Sequence, residues 1–335
     1  MIVERVLRAA TLLLVAGAVI AVPAAVQAGE RCDYDGDGKV DLVAVRATPP
    51  SLTWFIRQST AGFRAFTFGT SPGAGGFDMP ICGDFDGDGK SDPTVLRLVV
   101  APAPQPVTWF IQQSTTGTLR VEQFGSPFDT AYVADWNGDG RDELVMARVA
   151  QVAGPTLSQI THYNKNLANG AFSAFVFGTG DHYILGKGDV DGDGISDPMV
   201  YDTSTVPGVR YASPSTAGLL LADPWGNPMT DYRYVGNFDF DLRTDLAVMR
   251  GYAGSCCDHW IRSEATGTAI PGHGSGFTFG TVGDLPASGD YVGDGRDDIA
   301  VYRDSTRILW IHNAGDNSVT GFYWGAFGDI LLFIR

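Results

Sequence analysis

Short stretches in which apolar and polar residues alternate recur along most of the chain. The runs 41–46 (DLVAVR), 92–97 (DPTVLR), 143–148 (ELVMAR), 197–202 (DPMVYD), 245–250 (DLAVMR) and 298–303 (DIAVYR) share one pattern. Alternation of period two over a few residues predicts half-buried β-strands. A second strand is predicted after each run, as in 53–60 (TWFIRQST), 108–115 (TWFIQQST), 259–266 (HWIRSEAT) and 309–313 (LWIHN). A Gly-centred turn such as Thr60-Ala61-Gly62 follows, then a third strand ending in Phe-Gly or Trp-Gly, at Phe68, Phe124, Phe177, Trp225, Phe279 and Trp324. A fourth strand, as in 78–84, leads into the next unit. None of this region has the three-to-four spacing of an amphipathic helix.

The units are punctuated by an acidic nine-residue loop. Asp33, Asp35, Asp37 and Asp41 recur as Asp84, Asp86, Asp88 and Asp92, as Asp135, Asn137, Asp139 and Glu143, and as Asp189, Asp191, Asp193 and Asp197. Two altered copies follow: Asn237, Asp239, Asp241 and Asp245, then Asp290, Val292, Asp294 and Asp298. The starts lie 51, 51, 54, 48 and 53 residues apart. Four strands in roughly 50 residues is the size of a propeller blade. The repeats begin at a loop without the strand that should precede it, and 328–334 aligns with that missing strand. The reading is therefore an all-β, six-bladed β-propeller of four-stranded blades spanning 29–335. Its C-terminal strand is predicted to pair with residues 42–46 and close the circle, which leaves no long exposed sheet edge.

With these motifs in place the chain resembles bacterial FG-GAP/VCBS repeat proteins, and is similar to the propeller of integrin α-subunits. The resemblance covers about residues 30–335. Integrin heads have seven blades, so six copies are a departure.

Calcium takes six to eight oxygen ligands from a flexible loop. The acids at loop positions one, three, five and nine supply carboxylates. Position seven (Lys39, Lys90, Arg141, Ile195) offers a backbone carbonyl, as an EF-hand does at its seventh residue. Glycines at positions four and six let the backbone wrap an ion with φ > 0. Magnesium demands a stricter octahedron, and zinc or copper would need His or Cys. Loops one, two and four are intact, and loop three has Asn137 as a neutral ligand. Loop five lacks both glycines, so Leu242 there must adopt a left-handed conformation. Loop six has Val292 at position three. Four good sites and two weak or empty ones are expected; the alternative is a set of solvated acidic turns.

The charge balance changes the picture in one respect. Net charge is −15, and the six loops hold 23 of the 38 acidic residues. A chain so acidic is not a nucleic-acid binder, because phosphates are met by Lys and Arg. At the N-terminus, Arg5 and Arg8 precede an apolar run from Ala9 to Val22, and Val26-Gln27-Ala28 offers a cut after Ala28. This predicts a signal peptide over 1–28, with an uncleaved anchor as the alternative, and no membrane span after its removal. The product would be secreted, periplasmic or on the cell surface.

Four cysteines suit such a compartment. Cys32 and Cys82 lie at matching places before loops one and two, so a bridge between them near the closure is expected. The neighbours Cys256 and Cys257 form either a vicinal disulfide or free or intermolecular thiols. His162 and His259 align with Trp54 and Trp109 and read as blade packing. Arg46, Arg97, Arg148, Arg250 and Arg303 share one blade position, either paired with a nearby acid or forming a cationic ring for an anionic ligand. Trp54, Trp109, Trp260 and Trp310 read as blade filler, or as platforms for sugars.

No nucleophile motif or repeated His–acid set occurs. The leading expectation is a non-enzymatic adhesion or recognition module with structural calcium and an extracellular protein or glycan partner. By the integrin resemblance, residues 47–52, 98–107, 149–157, 203–209 and 251–258 form its variable binding face. A glycan-binding lectin is the alternative, and a hydrolase or lyase in the central channel is a third.

Overall fold

In the computed structural model the structure describes residues 32–71, 76–99, 104–150, 158–180, 182–216, 218, 220–252, 255–268, 270 and 277–333. The signal-peptide segment, residues 100–103, 151–157 and 253–254 of the expected binding face, and the side chain of Cys256, with it the choice between a vicinal disulfide and thiols, lie outside the described residues.

Six sheets of four antiparallel strands form the ring. Blade two contains Phe77–Ile81, Thr94–Leu98, Thr108–Gln112 and Leu119–Gln123, and blade three Thr130–Ala134, Glu143–Ala150, Gln159–Lys165 and Phe172–Thr179. Blade four contains His182–Gly188, Asp197–Asp202, Val209–Ala212 and Leu221–Pro224. Blade five contains Asp231–Gly236, Asp245–Tyr252, Ser255–Arg262 and Phe277–Thr278, and blade six Leu285–Pro286, Ile299–Arg303, Ile308–His312 and Val319–Tyr323. Blade one combines the C-terminal Ile330–Leu331 with Leu42–Thr48, Ser51–Gln58 and Gly62–Thr70, with Ala44 opposite Leu331 and Val45 opposite Ile330. The predicted closure is present. No helix among the described residues is long and apolar enough to cross a membrane.

The runs after the acidic loops are not half-buried. Leu42, Val43, Ala44 and Val45 are all buried, as are Leu144, Val145, Met146 and Ala147. Each blade has a neighbour against both faces, so the second strand hides both sets of side chains. The alternation expected there appears on the outer strand instead, as in Leu119–Gln123, where exposed and half-buried residues alternate. Two segments expected as binding loops are mostly strand. Strands Leu42–Thr48 and Ser51–Gln58 leave only residues 49–50 between them, and strands Asp245–Tyr252 and Ser255–Arg262 leave only 253–254.

The Phe-Gly and Trp-Gly turns are tied down from within. The indole N–H groups of Trp54 and Trp109 donate to the carbonyls of Phe68 and Phe124 at 2.9 and 3.0 Å. His162 and His259 do the same to Phe177 and Phe279 at 3.0 and 2.8 Å, while their Nδ1 atoms meet the hydroxyls of Tyr132 and Tyr234. In blades four and six, the Tyr201 and Tyr302 hydroxyls reach the Trp225 and Trp324 carbonyls. Burial holds both imidazoles down to about 4, so they are neutral packing groups. The glycine itself is required at Gly125, where φ is +91° and a Cβ would lie 2.4 Å from Met146 Cγ. Cys32 and Cys82 are bonded, with Cα atoms 5.6 Å apart, and both share an apolar cluster with Leu332 of the closing segment.

Candidate metal centres in the blade loops

Each acidic loop joins the innermost strand of a blade to the second strand, or in blade one enters it from Cys32. The position-one acid organises the turn. Asp33 Oδ1 accepts the N–H of Gly36 at 2.6 Å and Oδ2 that of Gly38 at 2.7 Å. Asp84, Asp135, Asp189 and Asp290 make the same pair of bonds. The position-nine acid ties the loop to its blade. Asp41 Oδ2 accepts the Tyr34 N–H at 2.7 Å, and Oδ1 accepts the Ser59 N–H at 2.7 Å. Asp92, Asp197, Asp245 and Asp298 repeat this, one bond from loop position two and one from the turn between the third and outer strands.

That turn was not recognised as part of the site. The hydroxyls of Ser59 and Thr60 both reach Asp37. Ser114 reaches Asp88 and Thr115 reaches Asp86, while Ser215 reaches Asp193 and Thr216 reaches Asp191. The signal was available as the repeated Ser-Thr at the end of the second predicted strand.

Carboxylate oxygens converge in four loops: Asp33, Asp35 and Asp37; Asp84, Asp86 and Asp92; Asp189, Asp191 and Asp197; Asp239, Asp241 and Asp245. Within each triplet the oxygens lie within 4.8 Å of one another, about twice a calcium–oxygen bond, so one ion can touch all three. Asp35 Oδ1, Asp191 Oδ1 and Asp241 Oδ2 are buried and have no hydrogen-bond partner. A buried carboxylate oxygen left bare is costly, and a hard cation removes the cost. The residues present therefore fit a divalent ion. Of the other expected side-chain ligands, Asp41, Asp88, Asp193 and Asn237 sit in these loops outside the triplets, and Asp135, Asn137, Asp139, Glu143, Asp290, Asp294 and Asp298 lie in loops three and six, where no triplet is found among the described residues.

The four loops are not the four expected. Loop five joins the set, because Phe240 and Leu242 take φ of +70° and +67°, close to the +78° and +84° of Gly36 and Gly38. The backbone there copies the glycine-bearing loops. Loop three drops out. Asn137 turns its Nδ2 onto Glu143 Oε1 at 2.6 Å, and Asn166 donates to the same oxygen at 2.7 Å.

The loops also form a circle of their own. The position-eight N–H of each loop donates to the position-one carbonyl of the preceding blade: Ser91 to Asp33, Asp142 to Asp84, Ser196 to Asp135, Thr244 to Asp189, Asp297 to Asn237 and Val40 to Asp290, at 2.6–2.8 Å. The position-seven side chains lean the same way. Lys90 Cγ lies 3.0 Å from where a Cβ on Gly36 would be, and Arg141, Ile195, Arg243 and Lys39 cover Gly87, Gly138, Gly192 and Gly293 likewise. In the sixth joint the position-four residue is Phe240, and Arg296 lies over its ring at 4.4 Å.

Away from the loops, the five repeated arginines pair with acids. Arg46, Arg97, Arg148, Arg250 and Arg303 form two-pronged bonds to Asp329, Asp78, Asp129, Asp231 and Asp284. Blade four places His182 opposite Asp202 in the same register.

A comparison with curated proteins finds no match. Among solved structures, the chain is similar to TolB from Acinetobacter baumannii (16% identity, TM-score 0.49, covering 84% of this chain and 63% of that one). It is also similar to the β-propeller domain of the Trilobed protease from Pyrococcus furiosus (13%, TM-score 0.46, covering 84% and 79%). A third is a triple arginine-to-alanine mutant of AofleA from Arthrobotrys oligospora (10%, TM-score 0.47, covering 90% of each). The chain spans less than two thirds of the TolB chain's length. Residues 33–92 match the FG-GAP-like repeat family. With six in-phase loops around a closed ring, the chain is a six-bladed β-propeller that carries an FG-GAP-like repeat over residues 33–92.

Proposed function

We propose that this protein is an exported, calcium-braced propeller that acts as a non-enzymatic recognition module. The observation that carries the calcium reading is the set of four carboxylate triplets, three of which hold a buried oxygen without a donor. Asp33, Asp35 and Asp37 hold the ion in blade one, with Asp84, Asp86 and Asp92, Asp189, Asp191 and Asp197, and Asp239, Asp241 and Asp245 in the others. The ion supplies positive charge that draws each loop onto its blade. The Cys32–Cys82 bond and the apolar N-terminal segment support export, since disulfides persist in oxidising compartments. His162, His259, Tyr201 and Tyr302, in the second and third strands, are engaged in holding the turns, which favours binding over catalysis. Connections that differ between blades, such as 98–107 and 203–209, favour an extracellular protein partner on the face away from the ions.

Two measurements test this. Metal analysis of dialysed protein should find about four calcium ions per chain, with Asp35→Asn removing one; none bound refutes the calcium reading. Replacing 98–107 by the short blade-one turn should abolish retention of an extracellular partner that the wild type captures. Retention insensitive to every such exchange refutes the assigned face.

The acids also set a pH dependence. Burial, reinforced by neighbouring carboxylates, pushes Asp41, Glu143 and Asp245 up to about 7, and Asp92, Asp197 and Asp298 up to about 6. A carboxyl raised in the folded state stabilises the fold fully below its unfolded value of about 4, and this is lost as pH rises through the folded value. In chelator, the protein should therefore melt higher at about pH 5 than at about pH 8, and saturating calcium should shrink the difference. Calorimetric scans showing no such slope in chelator would contradict the assignment.

A further inference from the structure

Blade three departs from the other five where its side chains border one cavity. Asn164 lies opposite Val145. The same register position holds Ile56, Ile111, Ala212, Ile261 and Ile311 in the other blades, all core residues. Asn164 is 8% exposed. Its Oδ1 accepts the Ser173 hydroxyl, and the residue lines the cavity. An amide in place of isoleucine puts a group that both donates and accepts hydrogen bonds on the cavity wall. Asn137 and Asn166 bring two further amides, both turned onto Glu143 Oε1. Their amino hydrogens crowd the oxygen that a cation would need.

The cavity holds about 430 Å³. Its apolar wall is Trp136, Phe175 and Phe172, with Trp136 and Phe175 edge to face at 5.5 Å and Phe172 61% exposed. Its polar wall is amides and Ser173 beside Asp139 and Glu143, with no cationic side chain. Carboxylates repel anionic ligands, and inward-facing amino groups disfavour a metal ion. Amides that both donate and accept, facing an aromatic wall, match a ligand with hydroxyls on one edge and C–H groups on the other. The volume is in the range of small-ligand sites, about 300–1,000 Å³.

We infer that the third blade binds a neutral saccharide unit in this pocket, a function distinct from the ion-braced loops and beyond the partner face proposed above. The test uses calcium-loaded full-length protein and the methyl glycosides of glucose, galactose, mannose, fucose, N-acetylglucosamine and N-acetylgalactosamine, read by saturation-transfer NMR and calorimetry. At least one glycoside should bind at one site per chain. Phe172→Ala should weaken it by about tenfold or more. Asn164→Ile, which restores the residue type of four other blades, should abolish binding while leaving the melting temperature equal or higher. Asn137→Asp should weaken the glycoside and add one calcium ion per chain. No binding by any of the six, or binding unchanged in both Phe172→Ala and Asn164→Ile, overturns the inference. A wild-type calcium count equal to that of Asn137→Asp overturns the exclusion of metal from this pocket. Calcium content is read separately, so loss of the calcium reading and loss of the saccharide reading give different results.

Discussion

Chelating calcium is expected to lower the melting temperature of this ring by about 20 °C. A ligand bound only by the folded state stabilises it by about 2.7 kcal/mol per site at a hundredfold excess over the dissociation constant. Four converging triplets then supply about ten kcal/mol, and a domain of this size shifts by roughly 2 °C per kcal/mol. The effect is large because the loops are linked. Each position-one residue that cradles its own turn also accepts a hydrogen bond from the next blade, so loosening one loop loosens its neighbour. Calorimetry with EGTA, followed by calcium add-back, reads the shift directly. Magnesium at equal concentration should restore only part, since it resists giving up its waters. A melting temperature indifferent to EGTA and calcium would end the calcium assignment.

The second large effect concerns closure. Deleting residues 329–335 removes the innermost strand of blade one and the bonds it makes to Ala44 and Val45. It also removes Leu332 and Phe333, which are 4% and 3% exposed, at about 1.5–3 kcal/mol each for apolar burial alone. Arg46 loses both of its bonds to Asp329. Blades six and one then keep the packing of Val40 and Leu42 against Tyr302 and Ile311, the Arg57–Phe322 contact and a loop joint with a single bond. Val40 donates its N–H to Asp290, but has no side-chain oxygen to return the bond. At other joints Ser91, Asp142, Thr244 and Asp297 each accept the position-one N–H of the neighbouring loop. The truncated protein should melt lower and over a broader range, with the blades next to the gap losing hydrogen-exchange protection first. An unchanged, equally sharp transition would show that the closing strand is dispensable.

The repeats made the architecture readable because each blade restates the same local problem. Period-two runs, turn glycines and acidic loops in phase are properties of neighbouring residues, and they located six blades and the closing strand. The histidines were legible for the same reason, since His162 and His259 occupy the register position of Trp54 and Trp109. The loops were only partly legible. Loop five looked degraded from its missing glycines, yet Phe240 is accommodated beneath Arg296 of the next blade, and Leu242 accepts a left-handed conformation. Loop three looked plausible because Asn137 can offer an oxygen, but Asn166, from a turn 29 residues further on, helps present amino groups to Glu143 instead.

What the amino-acid order determined alone was everything periodic: strand type, blade number, the position of each acid in its loop and the pairing of the two ends. Those features follow from backbone geometry and hydrophobic alternation within about fifty residues, so no distant partner is needed to decide them. Tertiary structure decided which carboxylates meet, which asparagines point their hydrogens inward, and why position four must stay small where Lys90 or Arg141 crosses from the next blade. These depend on side chains that the ring brings together from neighbouring blades, and the local pattern within one loop does not show what its neighbour places against it.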